Sequence, residues 1–200
     1  MFKSIKENVS AEITEKKSKF VCHVFYVESV GEAEEILGGI RKVYHDARHN
    51  CFAYKIADGD VFKSSDDGEP SGTAGAPMLN ILNGKNLFNI LVVVTRYFGG
   101  ILLGTGGLVR AYSQVTELAI DGAELINQDV GLQASFSVDY KDLETIKYQL
   151  RKRGIFVSGV DYGEKVRVII EGIEDDVLRF KDENIDLNVE TIGKKIITLA

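Results

Sequence analysis

The last third of the chain alternates between strand-like and helix-like patterns, and this order restricts the fold more than any other feature. Strand-like segments are rich in β-branched and aromatic residues, whereas helix-like segments repeat apolar residues every three or four positions. Six segments follow one another as strand, helix, strand, strand, helix and strand: 132–140, 141–154, 155–162, 165–172, 173–183 and 187–199. A β-α-β-β-α-β order predicts a split βαβ, or ferredoxin-like, domain.

The preceding residues predict a different α+β domain, so we place domains at 1–127 and 128–200. The stretch 124–131 between them has no periodic pattern and is interpreted as a short connector. No element is predicted before residue 19. Predicted strands lie at 19–27, 51–58, 61–64 and 87–98, and predicted helices lie at 29–44 and 76–84. A glycine-rich loop that begins at residue 99 enters a third predicted helix, which ends near residue 122.

Charge and cysteine content exclude several classes of function. The chain carries a net charge of −6 with a pI near 5.2, so it has no general attraction for phosphate backbones or anionic lipid. Any nucleic-acid contact therefore needs a local basic patch. The longest apolar run, "ILVVV", is too short to span a bilayer, and the N-terminus has no apolar signal core. Two cysteines, Cys22 and Cys51, favour a reduced, cytoplasmic setting.

One polar stretch, "KSSDDGEPSGTAGAP" at 63–77, is too long for an ordinary surface turn. It contains turn dipeptides and leads directly into a predicted helix, with Pro77 in the first turn and Thr73 or a neighbour as the cap. A polar loop that enters a helix N-terminus can hold an anion. The alternative is a long turn whose Asp and Ser side chains cap their own backbone.

A second stretch, "TRYFGGILLGTGGLVRAY", combines five glycines with two arginines. It does not match a phosphate-binding P-loop, because Thr105 stands where the lysine is needed, and it lacks the third glycine of a dinucleotide fingerprint. Arg96 and Arg110 suit phosphate or carboxylate recognition. The alternative is that these arginines pair internally with Asp66, Asp67 or Glu69.

The segment "HDARHNC" raises a third possibility. His45 and His49 are four residues apart, a spacing that zinc ligands on a helix can have, and Cys51 follows closely enough to suggest a Cys-His nucleophile. The simpler interpretation places His45 at a helix C-terminus and Cys51 in a buried strand. We expect no bound metal and no cofactor.

Together, "HDARHNCFAYKI", "SSDDGEPSGTAGAPMLNIL" and "VVVTRYFGGILLGTGGLVRAYS" strongly resemble the IMPACT/YigZ family across residues 18–123. The resemblance implies a first domain like domain 2 of ribosomal protein S5. It also implies a ferredoxin-like second domain, as in bacterial members, similar to the C-terminal domain of elongation factor G. Eukaryotic members regulate translation by binding a ribosome-associated activator of a stress kinase. The residues that match the family motifs form the set His45, His49, Asp66, Asp67, Glu69, Ser71, Thr73, Arg96, Tyr97 and Arg110.

Three hypotheses for these family-motif residues remain open at this point. They could form an exposed face of carboxylates, hydroxyls and arginines through which the protein contacts RNA or a ribosome-associated protein. They could belong to an enzyme for a phosphorylated or nucleotide substrate, with Mg²⁺ at Asp66, Asp67 and Glu69. They could instead be purely structural. The resemblance implies no reaction and no catalytic residue, and the sequence leaves the oligomeric state open.

Overall fold

The computed structural model describes residues 1–199, which divide into two compact units. The first unit contains Phe2–Asn127, and the second begins at Gln128 and also includes Met1. Each unit combines an antiparallel sheet with helices, so the predicted two-domain α+β fold is confirmed. No helix among residues 1–199 is both long enough and apolar enough to cross a membrane.

The first unit is built on a five-stranded sheet. Its elements are β1 (Phe2–Ile5), β2 (Val9–Glu15), β3 (Ser18–Tyr26), α1 (Val30–Val43), β4 (His49–Ile56), β5 (Val61–Ser65), α2 (Gly75–Gly84), β6 (Ile90–Tyr97) and α3 (Thr105–Asp121). The sheet order is β2-β3-β6-β4-β5, and every neighbouring pair is antiparallel. The predicted hairpin between β4 and β5 is confirmed.

Strand β6 lies at the centre of this sheet and is buried on both faces, as its β-branched run predicts. Val92 and Val94 belong to a core that includes residues of α2 and α3. Leu91 and Val93 face the opposite way and pack with residues of α1. The sheet therefore separates two apolar layers, and side chains at successive positions of β6 enter different layers.

Strands β1 and β2 are the elements that the sequence pattern did not predict. β2 is an edge strand whose residues are half-buried or exposed, because only one side of it is paired. It is fixed by its register with β3, from Val9 opposite Val24 to Glu15 opposite Ser18. Edge strands are polar and short in many proteins, so they lack the apolar signal of central strands.

The second unit has the predicted β-α-β-β-α-β order. Its elements are β7 (Leu125–Val138), α4 (Leu143–Lys152), β8 (Phe156–Tyr162), β9 (Val166–Ile173), α5 (Glu174–Glu183) and β10 (Glu190–Leu199). The strands lie in the order β8-β9-β7-β10, with β7 and β9 central. The predicted connector at 124–131 is wrong, because β7 begins at Leu125 and includes most of it.

Candidate functional site

Most of the family-motif residues meet where β4 begins and β6 ends. His49 of β4 and Phe20 of β3 both stand opposite Arg96 of β6 in the sheet register. Residues 66–74 of the polar stretch cross this end of the sheet before α2 begins. The motif segments, distant in sequence, therefore converge because the sheet places their strand ends side by side.

Arg96 forms a buried ion pair with Glu69. The Arg96 Nη1 lies 2.7 Å from the Glu69 Oε1, and the two side chains are only 7% and 3% exposed. Tyr112 of α3 donates its hydroxyl to the same Glu69 oxygen at 2.9 Å. The Arg96 guanidinium also lies 5.4 Å from the ring centroid of Phe20. Arg96 is therefore an internal partner of Glu69, which was the alternative to ligand binding.

Asp66 caps the start of α2 through its carboxylate. Its Oδ1 accepts from the backbone N–H groups of Ala74 and Gly75 at 2.9 and 2.8 Å, and its Oδ2 accepts from Gly72 at 2.7 Å. The prediction of Thr73 or a neighbour as the cap is wrong, because the Thr73 hydroxyl donates to the Pro70 carbonyl and Asp66 supplies the cap. The alternative, in which Asp side chains of the stretch cap their own backbone, describes Asp66 correctly. The negative charge expected at this helix N-terminus is thus supplied by the chain itself, which leaves no vacancy there for a second anion.

The environment of Asp66 favours its charged form. Partial burial raises the pKa of the carboxyl, but the three backbone donors outweigh that effect and hold the pKa below its ordinary value. A group whose pKa is depressed by folding adds stability above its unfolded pKa, near 4 for Asp, and loses that contribution as pH falls through the folded pKa.

The substitution Asp66→Asn is expected to lower the free energy of unfolding by about 1–3 kcal/mol at neutral pH. An amide can accept with its oxygen, but its NH₂ group would face the Gly72 or the Ala74 and Gly75 donors. Urea denaturation at several pH values would measure the difference. It should begin to shrink below about pH 4, where Asp66 of the unfolded wild-type chain takes up a proton, and should be lost as pH falls through the lower folded pKa. A difference that is independent of pH would contradict the capping role.

Asp67 and His49 form a second contact between the loop and β4. The Asp67 carboxylate accepts from the Asn50 backbone N–H at 2.7 Å and faces Arg41 at 3.3 Å. The His49 Nδ1 lies 2.8 Å from the Asp67 carbonyl oxygen. Because a carbonyl can only accept, Nδ1 carries the hydrogen in this contact. Asp67 thereby ties α1, β4 and the loop together.

The magnesium site of the enzyme hypothesis, at Asp66, Asp67 and Glu69, is not supported. Each of the three carboxylates faces a different set of protein donors, so the carboxylates do not converge on one ion. Within residues 1–199 no group of three His, Cys, Asp or Glu side chains is placed to hold a metal. His45 is exposed, with its Nδ1 3.2 Å from the Lys42 carbonyl at the end of α1.

Cys51 is a buried core thiol, as the simpler interpretation predicted. Burial raises its pKa to about 12, although the Tyr112 hydroxyl, 3.3 Å from the sulfur, acts in the opposite direction. The sulfur also contacts the Asp66 carbonyl at 2.9 Å. The hydrogen-bond partners of the sulfur are Asp66 and Tyr112, and burial disfavours the nucleophilic thiolate, so the Cys-His nucleophile hypothesis is not supported.

The remaining motif residues stand apart from the Arg96–Glu69 pair. Arg110 is exposed on α3 and lines a cavity of about 250 Å³ with Lys16 and Gly107, among others. It has no ion-pair partner within residues 1–199. Tyr97 donates to Asp46 at 2.8 Å, and Ser71 is exposed. Arg96 and Glu69 are buried inside the unit, so these two residues do not contribute to an exposed face.

Tyr112 is the participant that sequence reasoning missed. Its position at helical spacing from Leu108 and Val115 on the apolar face of α3 identifies it as a core residue. A buried tyrosine needs a partner for its hydroxyl, and that requirement was the available signal. Burial raises the pKa of Tyr112, and the neighbouring Cys51 and Glu69 raise it further, so the hydroxyl stays protonated and donates.

Comparison with known proteins agrees with the two-unit architecture. A model of the Impact N-terminal domain matches residues 16–120, and one of a domain of unknown function, DUF1949, matches residues 136–187. The IMPACT family member YvyE of Bacillus subtilis is 40% identical over 164 residues, 82% of this chain and 76% of the relative. An IMPACT family member of Haemophilus influenzae is 34% identical over 190 residues, 92% of this chain and 89% of the relative.

A solved structure supports the fold over the whole length. A crystal structure of a hypothetical protein has a TM-score of 0.66 and 29% identity, and the alignment covers 100% of this chain and 97% of that one. The first unit matches a family model over more than half of the chain, and the relatives extend through the second unit. The chain belongs to the IMPACT family.

Proposed function

We propose that this protein is a cytoplasmic binding protein with a regulatory role in translation and no catalytic activity of its own. The observation that carries the proposal is that Asp66, Asp67, Glu69 and Arg96 are engaged in contacts within the protein, above all the buried Arg96–Glu69 pair. Membership of a family whose eukaryotic members regulate translation supports the same role.

The chemistry of the motif residues and of their neighbours Cys51 and Tyr112 supports binding over catalysis. The Cys51 thiol and the Tyr112 hydroxyl both have raised pKa values, which is the opposite of what an activated nucleophile or a general base near neutral pH needs. The carboxylates of Asp66 and Glu69 already accept hydrogen bonds from donors within the protein. The contacts are suited to fixing a surface, because rigid surfaces bind with less loss of conformational entropy.

The partner in this proposal is RNA or a ribosome-associated protein. Because the chain carries a net charge of −6, such a contact must use a limited surface and must weaken as salt rises. The magnesium-dependent enzyme is not retained as a second candidate, because no observation favours it over binding.

Sedimentation with purified bacterial ribosomes tests the proposal. The protein is expected to co-sediment with ribosomes or with one separated subunit at about 50 mM salt and to be released as salt rises towards about 200 mM. Matched runs without ribosomes control for aggregation. Failure to sediment with ribosomes or either subunit at any of these salt concentrations would contradict a direct ribosomal contact.

A further inference from the structure

Four exposed basic residues surround the end of the sheet at which the motif residues meet. Lys16 and Lys17 form the turn between β2 and β3, Arg48 directly precedes β4, and Arg110 lies in the second turn of α3. None of the four forms an ion pair within residues 1–199. We name these four residues the basic rim. They are a local exception in a chain with a net charge of −6.

Direct contacts connect one half of the basic rim to the glycine-rich loop. Gly99 donates its backbone N–H to the Ser18 hydroxyl at 3.2 Å, and it packs so closely that an added Cβ would lie 2.0 Å from the Lys17 carbonyl. Lys16 and Arg110 line the same cavity. The hairpin turn, the glycine-rich loop and α3 therefore form one continuous surface.

The other half follows from the sheet register. Arg48 is adjacent to His49, which stands opposite Arg96 on β6, and Arg96 stands opposite Phe20 on β3. Neighbouring strands are about 4.8 Å apart, so the ends of β4 and β3 lie roughly 10 Å from each other. Tyr97, which donates to Asp46, holds the segment before Arg48 against the end of β6.

The Lys16–Lys17 turn has a backbone conformation in which lysine is unusual. Both lysines have positive φ, 44° and 64°, in a two-residue turn closed by Glu15 and Ser18. Such turns prefer Asn-Gly, because a side chain in this conformation is strained. Residues that break a local rule are concentrated at functional sites, so the two lysines in this turn point to a role for their side chains.

Exposed apolar side chains accompany the charges. Phe98 is 48% exposed and directly precedes Gly99, which packs against the Lys17 carbonyl of the basic rim. Leu102 in the glycine-rich loop is 81% exposed. An exposed aromatic ring beside cations is the arrangement on which proteins stack unpaired bases while lysines and arginines contact the phosphates.

We propose that the basic rim with Phe98 is a binding surface for single-stranded RNA. The inference rests on the proposed function, for which it names the surface and the chemical class of the partner. An acidic protein would match the positive charge but would leave the exposed ring without a specific role. A base-paired duplex would not offer an unstacked base to Phe98. Glu15 lines the cavity beside Lys16 and Arg110, so the surface favours a flexible strand that can direct its phosphates away from that carboxylate.

The decisive variant is Lys16→Asn/Lys17→Gly, because it removes two charges while giving the turn its preferred residues. Binding of a fluorescein-labelled oligouridine of about 12 nucleotides would be followed by fluorescence anisotropy across a salt series. We expect affinity to fall at least about fivefold, with a log–log salt slope smaller by roughly 0.7 for each lost phosphate contact. The thermal midpoint should stay unchanged or rise, so a loss of binding cannot be attributed to unfolding.

Arg151→Gln/Lys152→Gln is the matched control, since it removes two exposed positive charges from α4 of the second unit. Its affinity for the oligonucleotide should stay within about twofold of the wild type. An equal loss in both double variants would mean unspecific attraction and would overturn the proposal. So would undiminished binding by the turn variant, or competition by poly-aspartate as strong, per charge, as by unlabelled oligouridine.

Ribosome sedimentation separates this inference from the proposed function. If wild type and turn variant bind oligouridine equally and also co-sediment with ribosomes equally, the inference is wrong while the proposed function stands. If the wild type binds oligouridine through the rim but does not sediment with ribosomes, the surface is correct and the ribosomal role is wrong.

Discussion

Replacing Arg96 with alanine is expected to lower the free energy of unfolding of the first unit by about 3–5 kcal/mol. The substitution leaves the Glu69 carboxylate buried, 3% exposed, with the Tyr112 hydroxyl as its remaining donor in the network. A buried charge that has lost its counter-ion keeps its desolvation cost but not the attraction that offset it. The rings of Phe20 and Phe98 also lose the guanidinium between them.

Arg110→Ala is the control in the same unit, and its expected change is within about 0.5 kcal/mol. Arg110 is exposed and forms no ion pair within the described part of the chain. Because the protein contains no tryptophan, far-ultraviolet circular dichroism during urea unfolding is the suitable measurement. Equal destabilisation by the two alanine variants would contradict the assignment of Arg96 to a structural pair and Arg110 to the surface.

A double substitution shows whether the loss of stability comes from the missing ion pair or from the charge left buried without a partner. Arg96→Met/Glu69→Leu removes both charges and fills similar volume, so it should recover much of the stability that Arg96→Ala loses. The Tyr112 hydroxyl then lacks an acceptor, which limits the recovery. A double variant less stable than Arg96→Ala would indicate that other members of the network, such as Ser18 at 3.4 Å from Arg96, depend on the charges.

The helices and the central strand could be predicted because their signals are local. Strand β6 is buried on both sides and therefore reads as a continuous apolar run, and α1 presents its apolar residues at helical spacing. Strand β2 gave no such signal, because its formation depends on pairing with β3 rather than on its own composition. The same holds for the start of β7, where the sequence "LINQDV" has no clear alternation.

The candidate site was predictable in membership but not in geometry. The sequence places Asp66, Glu69 and Arg96 among the motif residues, yet no sequence rule states that Glu69 reaches Arg96 while Asp66 turns towards α2. Both contacts depend on which parts of the chain the sheet brings together. Arg96 and Glu69, for example, are 27 positions apart in the sequence. The sequence pattern therefore indicated that these polar residues contact one another. It did not show whether they form a buried network or an exposed surface.

Alanine substitutions at two glycines of the same region, Gly99 and Gly106, are expected to change the free energy of unfolding in opposite directions. Gly99→Ala would place a Cβ 2.0 Å from the carbonyl carbon and oxygen of Lys17, and 2.5 Å from the Ser18 nitrogen. Backbone atoms cannot rotate away as a side-chain end can, so either the glycine-rich loop or the β2–β3 turn must move. The expected loss in the free energy of unfolding is at least about 3 kcal/mol.

Gly106→Ala gives the matched comparison, because nothing lies within 4 Å of its added Cβ and it stands in the first turn of α3. Alanine is the better helix former, so this variant is expected to be unchanged or more stable by up to about 1 kcal/mol. Urea unfolding of both variants measures the change in the free energy of unfolding and shows whether the two changes have opposite signs. If Gly99→Ala matched the wild type, the close approach of the loop to Lys17 would be wrong, and the continuity of the basic rim across that contact would be wrong with it.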